Sequence, residues 1–162
     1  MPKVRLLAHT QSPERLVALS ARVCYCNEDI SSINEKMSEK KVARLVRQMV
    51  DTGHHSTLEH SSFTFGISDL SRVASHQLVR HRIASYSQAS QRYISLENCF
   101  SYEMPKTIEA KEEARELFSK IMEQSHQSYR QLVAMGIDKE DARFVLPGAA
   151  RSQIMVTMNA RA

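Results

Sequence analysis

Residues 80–92 read Arg-His-Arg-Ile-Ala-Ser-Tyr-Ser-Gln-Ala-Ser-Gln-Arg, with three arginines, one histidine, three serines and no acid. Guanidinium groups present a planar fork of donors that fits phosphate oxygens, and serine hydroxyls with backbone N–H groups can fill the remaining acceptor sites. The chemistry this suggests is capture of an anion, such as a phosphorylated small molecule. A solvated basic face is the competing reading; Ile83 and Ala84 make the stretch half apolar and favour the anion site. Arg143 sits in the apolar run Ala142-Arg143-Phe144-Val145-Leu146-Pro147, where it either snorkels outward or reaches a phosphate or carboxylate. Arg151 and Arg161 carry the same ambiguity.

Other candidate chemistries are weaker. His54-His55-Ser56-Thr57-Leu58-Glu59-His60 lacks both His-Glu-x-x-His and His-x-x-Glu-His spacing, so no metal is assigned. It reads as a polar loop before a strand, or as a ligand loop offering Ser56 and Glu59. Cys24-Tyr25-Cys26 has no second pair for zinc and reads as a helix end with one buried thiol. No cysteine sits near the arginine-rich motif, so a thiolate nucleophile there has no support. The four glycines are scattered and form neither a P-loop nor a dinucleotide fingerprint.

The elements that must position these residues follow from periodicity. A strand is expected over 4–9. A helix follows from Ser12-Pro13, with serine as cap and Leu16, Leu19, Ser20 and Val23 on one side. Ser32 and Ser38 compete to start the next helix, whose stripe is Val42, Leu45, Val46, Met49 and Val50, with Gly53 as its stop. Residues 62–67 alternate as a half-buried strand, with Phe63, Phe65 and Ile67 on one face. Ser71 caps a short helix in which Gln77, Arg80 and His81 would share a face. A long helix is expected over 109–135, carrying Ala114, Leu117, Phe118, Ile121, Met122, Ser125, Leu132 and Val133. A short helix from Asp138 and a strand over 152–158 complete the chain. Helices and strands mix without a βαβ rhythm, so the expected class is α+β, with mixed helices around a central, mostly antiparallel sheet.

The chain has 162 residues, 42% apolar and 25% charged, the composition of one soluble globular domain. No run is long enough to span a membrane, and three cysteines without a secretory signal suit reduced thiols in the cytoplasm. A net charge of +4 favours anionic ligands without choosing among them.

Arg80-His81-Arg82, then Ser85, Ser90 and Arg92 at their spacing, resembles the signature of the flavin-dependent thymidylate synthases. Gly53-His54, Glu59-His60, Phe63-Thr64-Phe65, Gln77, Arg92-Tyr93, the Arg143 run and Asn159-Ala160-Arg161 follow in family order, so the resemblance covers nearly the whole chain. It implies reductive methylation of dUMP to dTMP, with methylenetetrahydrofolate as carbon donor, NADPH as reductant and non-covalent FAD as hydride carrier. It also implies a homotetramer with shared active sites, no cysteine nucleophile, and neither nucleic acid nor membrane as partner. Flavin contacts would fall on Ser56, Arg80, His81, Arg82, Gln88, Asn159 and Arg161. Nucleotide contacts would fall on Gln77, Arg80, Gln88, Ala89, Ser90, Gln91, Arg92 and Arg143, with Ser90 and Arg92 on the phosphate and Arg143 arriving from a neighbouring subunit. Catalysis would then rest on orientation of the flavin against the uracil ring and on arginines beside the uracil oxygens.

Two departures accompany the resemblance. Gln88 stands where many members carry Glu, which keeps an acceptor but loses the charge. The family continues for some tens of residues past Ala162 and includes there a flavin asparagine and an activating arginine, so no catalytic residue is assigned. The expectation is a single domain over residues 1–162 that lacks this segment and is inactive or poorly active. The alternatives are a truncated paralogue with a structural role and a basic nucleic-acid-binding module.

Overall fold

A computed structural model describes residues 1–98 and 100–162; Cys99, one of the three cysteines counted above, lies outside the described residues. In chain order the elements are β1 (Lys3–His9), α1 (Pro13–Val23), α2 (Ile30–Glu35), α3 (Glu39–Asp51), a 3-10 turn (His55–His60), β2 (Ser62–Ser71) and α4 (Arg72–Leu78). They continue through β3 (Ala84–Gln88), α5 (Lys106–Glu109), α6 (Glu112–Ala134), α7 (Lys139–Ala142), a second 3-10 turn (Arg143–Val145) and β4 (Arg151–Asn159). The four strands form one antiparallel sheet in the order β1-β2-β4-β3, which bears out the α+β expectation.

The chain divides into two compact units. The smaller comprises Arg5–Phe65, His81–Ser85 and Val156–Ala162; the larger comprises Met1–Val4, Gly66–Arg80 and Tyr86–Met155. The core of the smaller unit is Ala18, Met37, Val42 and Leu45, flanked by Leu19 and Val46. The α3 stripe is therefore as the spacing predicts, apart from Val50, which is exposed. In α1 the expected face is rotated: Val17, Ala18 and Ala21 are buried while Val23 is exposed, because the small alanines allow α1 to lie close against α3. Ser12 does not cap α1. Its backbone is left-handed (φ 48°) and its side chain makes no cap bond, leaving Pro13 to open the helix through its fixed φ.

Asp29, rather than Ser32, caps α2 by accepting from the N–H groups of Ser31 and Ser32, and α3 starts after Ser38. Gly53 ends that region as expected: its φ of 73° is open to glycine, and His54 N–H returns to Met49 O. Cys24 is exposed and Cys26 half-exposed, so neither is the buried thiol expected at the helix end.

In the larger unit the expected long helix forms as α6 but starts three residues late, because Lys111 is extended (φ −117°, ψ 117°) and separates it from the short α5. Met122 and Tyr129 supply the buried positions of α6, while Leu117 and Ile121, expected to be buried, are exposed. His126, Phe100, Tyr102 and Phe118 meet in series: His126 stacks on Phe100 at 4.8 Å, Phe100 is tilted against Tyr102, and Tyr102 meets Phe118 edge-on.

Candidate functional site

The two units divide the candidate residues. In the larger unit, Ser71 caps α4 by accepting from Ala74 N–H, as its position predicts. The helix ends at Leu78, so Arg80 and His81 lie past it, and the shared helical face expected for Gln77, Arg80 and His81 does not form. The chain turns and re-enters as β3, where side chains alternate; Tyr86 and Gln88 are half-buried while Ser85 and Ser87 are exposed. Tyr86 donates its hydroxyl to Leu78 O at 3.0 Å, and Gln88 Nε2 donates to the buried Ser75 Oγ at 2.9 Å. Both bonds bind β3 to α4.

Past Gln88, Ala89 N–H donates to Gln153 O and the chain folds into a turn, with Tyr93 and Ile94 N–H groups returning to Ser90 O. Ser90 Oγ accepts from Arg92 N–H at 3.3 Å, which stiffens the turn. Arg92 projects from it and grips Glu140 with two nitrogens, Nε to Oε1 at 2.8 Å and the terminal nitrogen to Oε2 at 3.0 Å. Glu140 is a focus for a second arginine: Arg143 Nε donates to the Glu140 backbone carbonyl at 2.9 Å. Each guanidinium also lies 5.9 Å from the ring centre of the next residue, Tyr93 or Phe144.

Neighbouring residues of α6 hold both arginine-bearing segments. Ser125 Oγ donates to Val145 O, and His126 Nε2 bonds Leu96 O at 2.9 Å and Glu97 O at 3.1 Å. One turn of a long helix thus ties down the chain just past Arg92 and the turn carrying Arg143. Burial, and then the like charge of Arg143, lowers the Arg72 guanidinium from its ordinary value. It stays charged at any physiological pH, so Arg72, Arg143 and Arg92 form a positive field that one carboxylate only partly neutralises.

Ala89, Ser90 and Gln91 line a cavity of about 230 Å³ with Asp69, Arg151 and Ser152. Arg151 Nε is buried without a hydrogen-bond partner among the described residues. Lys3, paired with Asp69 at 3.1 Å, holds that carboxyl below its usual range.

In the smaller unit, the segment after β4 is stitched to the 3-10 turn. Ala160 N–H donates to Ser61 O, and the Arg161 guanidinium pairs with Glu59. Asn159 Oδ1 accepts from the N–H groups of Arg161 at 3.0 Å and Ala162 at 3.1 Å, a local turn that fixes where the Arg161 side chain leaves the backbone. Asn159 is therefore engaged with its own chain, and Ser56, on the 3-10 turn, is exposed. His81 and Arg82 are exposed in the same unit, and neither Arg80 nor Arg82 enters an ion pair among the described residues. Exposed arginines together with a serine hydroxyl and side-chain amides are donor types that suit a diphosphate, so these residues fit a flavin dinucleotide by chemistry. Among the described residues, no group of three or more His, Cys, Asp or Glu is placed to hold a metal.

Sequence reasoning missed Glu140, Ser75 and Arg72. Glu140 and Ser75 lie 48 and 13 residues from their partners, beyond any local spacing rule. The Arg72 signal was available as a basic residue directly after the Ser71 cap.

The family described as "Thymidylate synthase complementing protein" (Thy1) matches residues 5–162. A flavin-dependent thymidylate synthase of Geobacter sulfurreducens is 51% identical over 160 residues, covering 98% of this chain and 69% of that protein. One of Pyrococcus abyssi is 43% identical over 164 residues, covering 99% of this chain and 67% of its own length. Among solved structures, a UMP/dUMP methylase, PolB, from Streptomyces cacaoi, bound with 5-Br dUMP, superposes with a TM-score of 0.81 at 24% identity. It covers 99% of this chain and 73% of that one, and establishes likeness of fold.

Proposed function

The chain belongs to the Thy1 family, whose similar members are named flavin-dependent thymidylate synthases, and on that basis we propose that it methylates dUMP to dTMP with a bound flavin. The observation that carries the reading is the convergence of Arg92 and Arg143 on Glu140. Both members of the Arg92–Glu140 pair are about half exposed, at 48% each, so the pair is worth under about 1 kcal/mol after solvent screening. A nucleotide phosphate offers charge-assisted bonds of about 1.5–3 kcal/mol each, which is enough to displace Glu140 from Arg92. Glu140 thereby keeps the fork oriented until a phosphate takes it.

In this reading Ser90, Gln91 and Arg92 hold the phosphate, Arg143 adds charge, and Gln77, Arg80, Gln88 and Ala89 orient the nucleoside. Ser56, Arg80, His81, Arg82, Gln88, Asn159 and Arg161 hold non-covalent FAD. Bound FAD would supply the hydride, with NADPH as reductant and methylenetetrahydrofolate as one-carbon donor. No helix among the described residues is long and apolar enough to cross a membrane, and the reaction is assigned to the cytoplasm. Exposed Val4, Leu6, Leu7, Leu117, Ile121 and Phe144 supply apolar surface for self-association, in support of a homotetramer in which Arg143 can also serve a partner's nucleotide.

The test is to load the full chain with FAD, record its visible bands, add dUMP, and then assay dTMP with NADPH and methylenetetrahydrofolate. Flavin bands that shift with dUMP are expected, and full dTMP turnover would overturn the expectation of an inactive or poorly active chain. A protein that takes up no flavin and binds DNA with steep salt dependence would overturn the reading.

A further inference from the structure

Ser75 is fully buried in α4, at 0% exposure, and touches no solvent. Its hydroxyl donates to Arg72 O at 2.9 Å and accepts from Gln88 Nε2 at 2.9 Å. A hydroxyl has one proton. With that proton on the Arg72 carbonyl, Ser75 offers Gln88 only lone pairs, and only the amide nitrogen can use them. Turning the carboxamide over would press its oxygen against those lone pairs and leave a buried acceptor unsatisfied.

The backbone around Gln88 is held as well. Tyr86 fastens β3 to Leu78 O, and Ala89 N–H fastens the following residue to Gln153 O. Among the described residues, Nε2 of Gln88 is bonded to Ser75 and Oε1 has no hydrogen-bond partner.

We propose that Ser75 is a positioning residue that orients the Gln88 carboxamide, making Oε1 a single directed acceptor for an N–H or O–H donor of the nucleotide. The inference rests on the dUMP reading above. The two donors of that chemistry are the uracil N3–H, which cytosine lacks, and the 3′-hydroxyl. A glutamate at position 88 would behave differently: both its oxygens accept, and Ser75 would have to withdraw its proton from Arg72 to meet it.

The difference supplies the test. Full-length wild type, Ser75→Ala, Gln88→Glu and the double variant are titrated with dUMP, dCMP and 3′-deoxy-dUMP. Ser75→Ala is expected to weaken dUMP binding roughly three- to tenfold when residue 88 is the native glutamine. Added to Gln88→Glu, it should change affinity by less than about twofold, because a carboxylate has no wrong way round. The analogue that lacks the recognised donor should lose its sensitivity to Ser75→Ala, and so identify that donor as N3–H or the 3′-hydroxyl.

A readout independent of nucleotide is amide exchange by NMR. One Gln88 side-chain proton should be protected in wild type and unprotected in Ser75→Ala. Equal losses of dUMP affinity in both backgrounds would reduce Ser75 to packing and overturn the proposal, as would an unprotected Gln88 amide in wild type. If wild type binds no dUMP while the amide is protected, the dUMP reading falls, and with it the role of Oε1 as a nucleotide acceptor.

Discussion

The segment proposed for the nucleotide, in the larger unit, and the one proposed for the flavin, in the smaller unit, are held in different ways. Around Arg92, side chains far apart in sequence do the holding: Glu140 on Arg92, Ser75 on Gln88, His126 on the 96–97 carbonyls. Around Arg161, the backbone is fastened by short-range turn geometry from Asn159 and by the contact from Ala160 to Ser61, and the side chain by one distant partner, Glu59. The first arrangement fixes side-chain directions, as a small rigid phosphate ester requires. The second fixes a backbone path and leaves exposed donors, as suits a large ligand that covers much surface. Residues 80–92 belong to both: His81–Ser85 fall in the smaller unit, and Arg80 and 86–92 in the larger.

The contrast should respond most strongly at Arg92. Arg92→Ala is expected to weaken dUMP binding about ten- to hundredfold, the loss of one or two charge-assisted bonds, as measured by calorimetry. Arg143→Ala should cost less, roughly three- to tenfold, because its Nε stays committed to Glu140 O. Glu140→Gln removes the charge that competes with phosphate and should tighten dUMP roughly two- to fivefold. A weaker dUMP complex in Glu140→Gln would mean that Glu140 serves to hold Arg92 in place even with nucleotide bound.

The smallest effects are electrostatic and differ by unit. Asp69 is lowered by hydrogen bonding to Lys3 and by its charge, and Glu28 likewise by Lys36. Each carboxylate contributes stability that is present above its ordinary value near 4 and lost as pH falls through its lowered one. Lys36 is raised by the same contact, so its contribution is present below its ordinary value and lost as pH rises through the raised one. Melting curves between about pH 5 and 2 should flatten slightly in Lys3→Met and in Lys36→Met. Since both ion pairs are open to solvent and screened by it, an acid sensitivity left unchanged by both substitutions would assign acid unfolding to other carboxylates.

Much of the fold is written in local periodicity. Val42, Leu45 and Met49 mark a buried helix face; Phe63 and Phe65 stack at 6.5 Å on one strand face; Ser71 and Gly53 mark a start and a stop. The features that escaped depend on tertiary partners. Ser12 has the residue type of a cap but takes a left-handed backbone, and the Lys111 break has neither proline nor glycine to announce it. Leu117 and Ile121 keep helical spacing yet are exposed in a single chain. The site follows the same division. The arginines and serines of the motif can be read from their spacing, whereas the groups that aim them, Glu140, Ser75 and His126, come together only through folding.

The two proposed residue sets share Arg80 and Gln88 but should be separable at Arg92 and Arg161, and the decisive measurement is FAD and dUMP affinity side by side in Arg92→Ala and Arg161→Ala. A crossed pattern is expected: Arg92→Ala loses dUMP affinity and keeps FAD within about twofold, while Arg161→Ala loses FAD affinity roughly three- to tenfold and keeps dUMP. Parallel loss of both ligands in both variants would show instead that the two sets act as one.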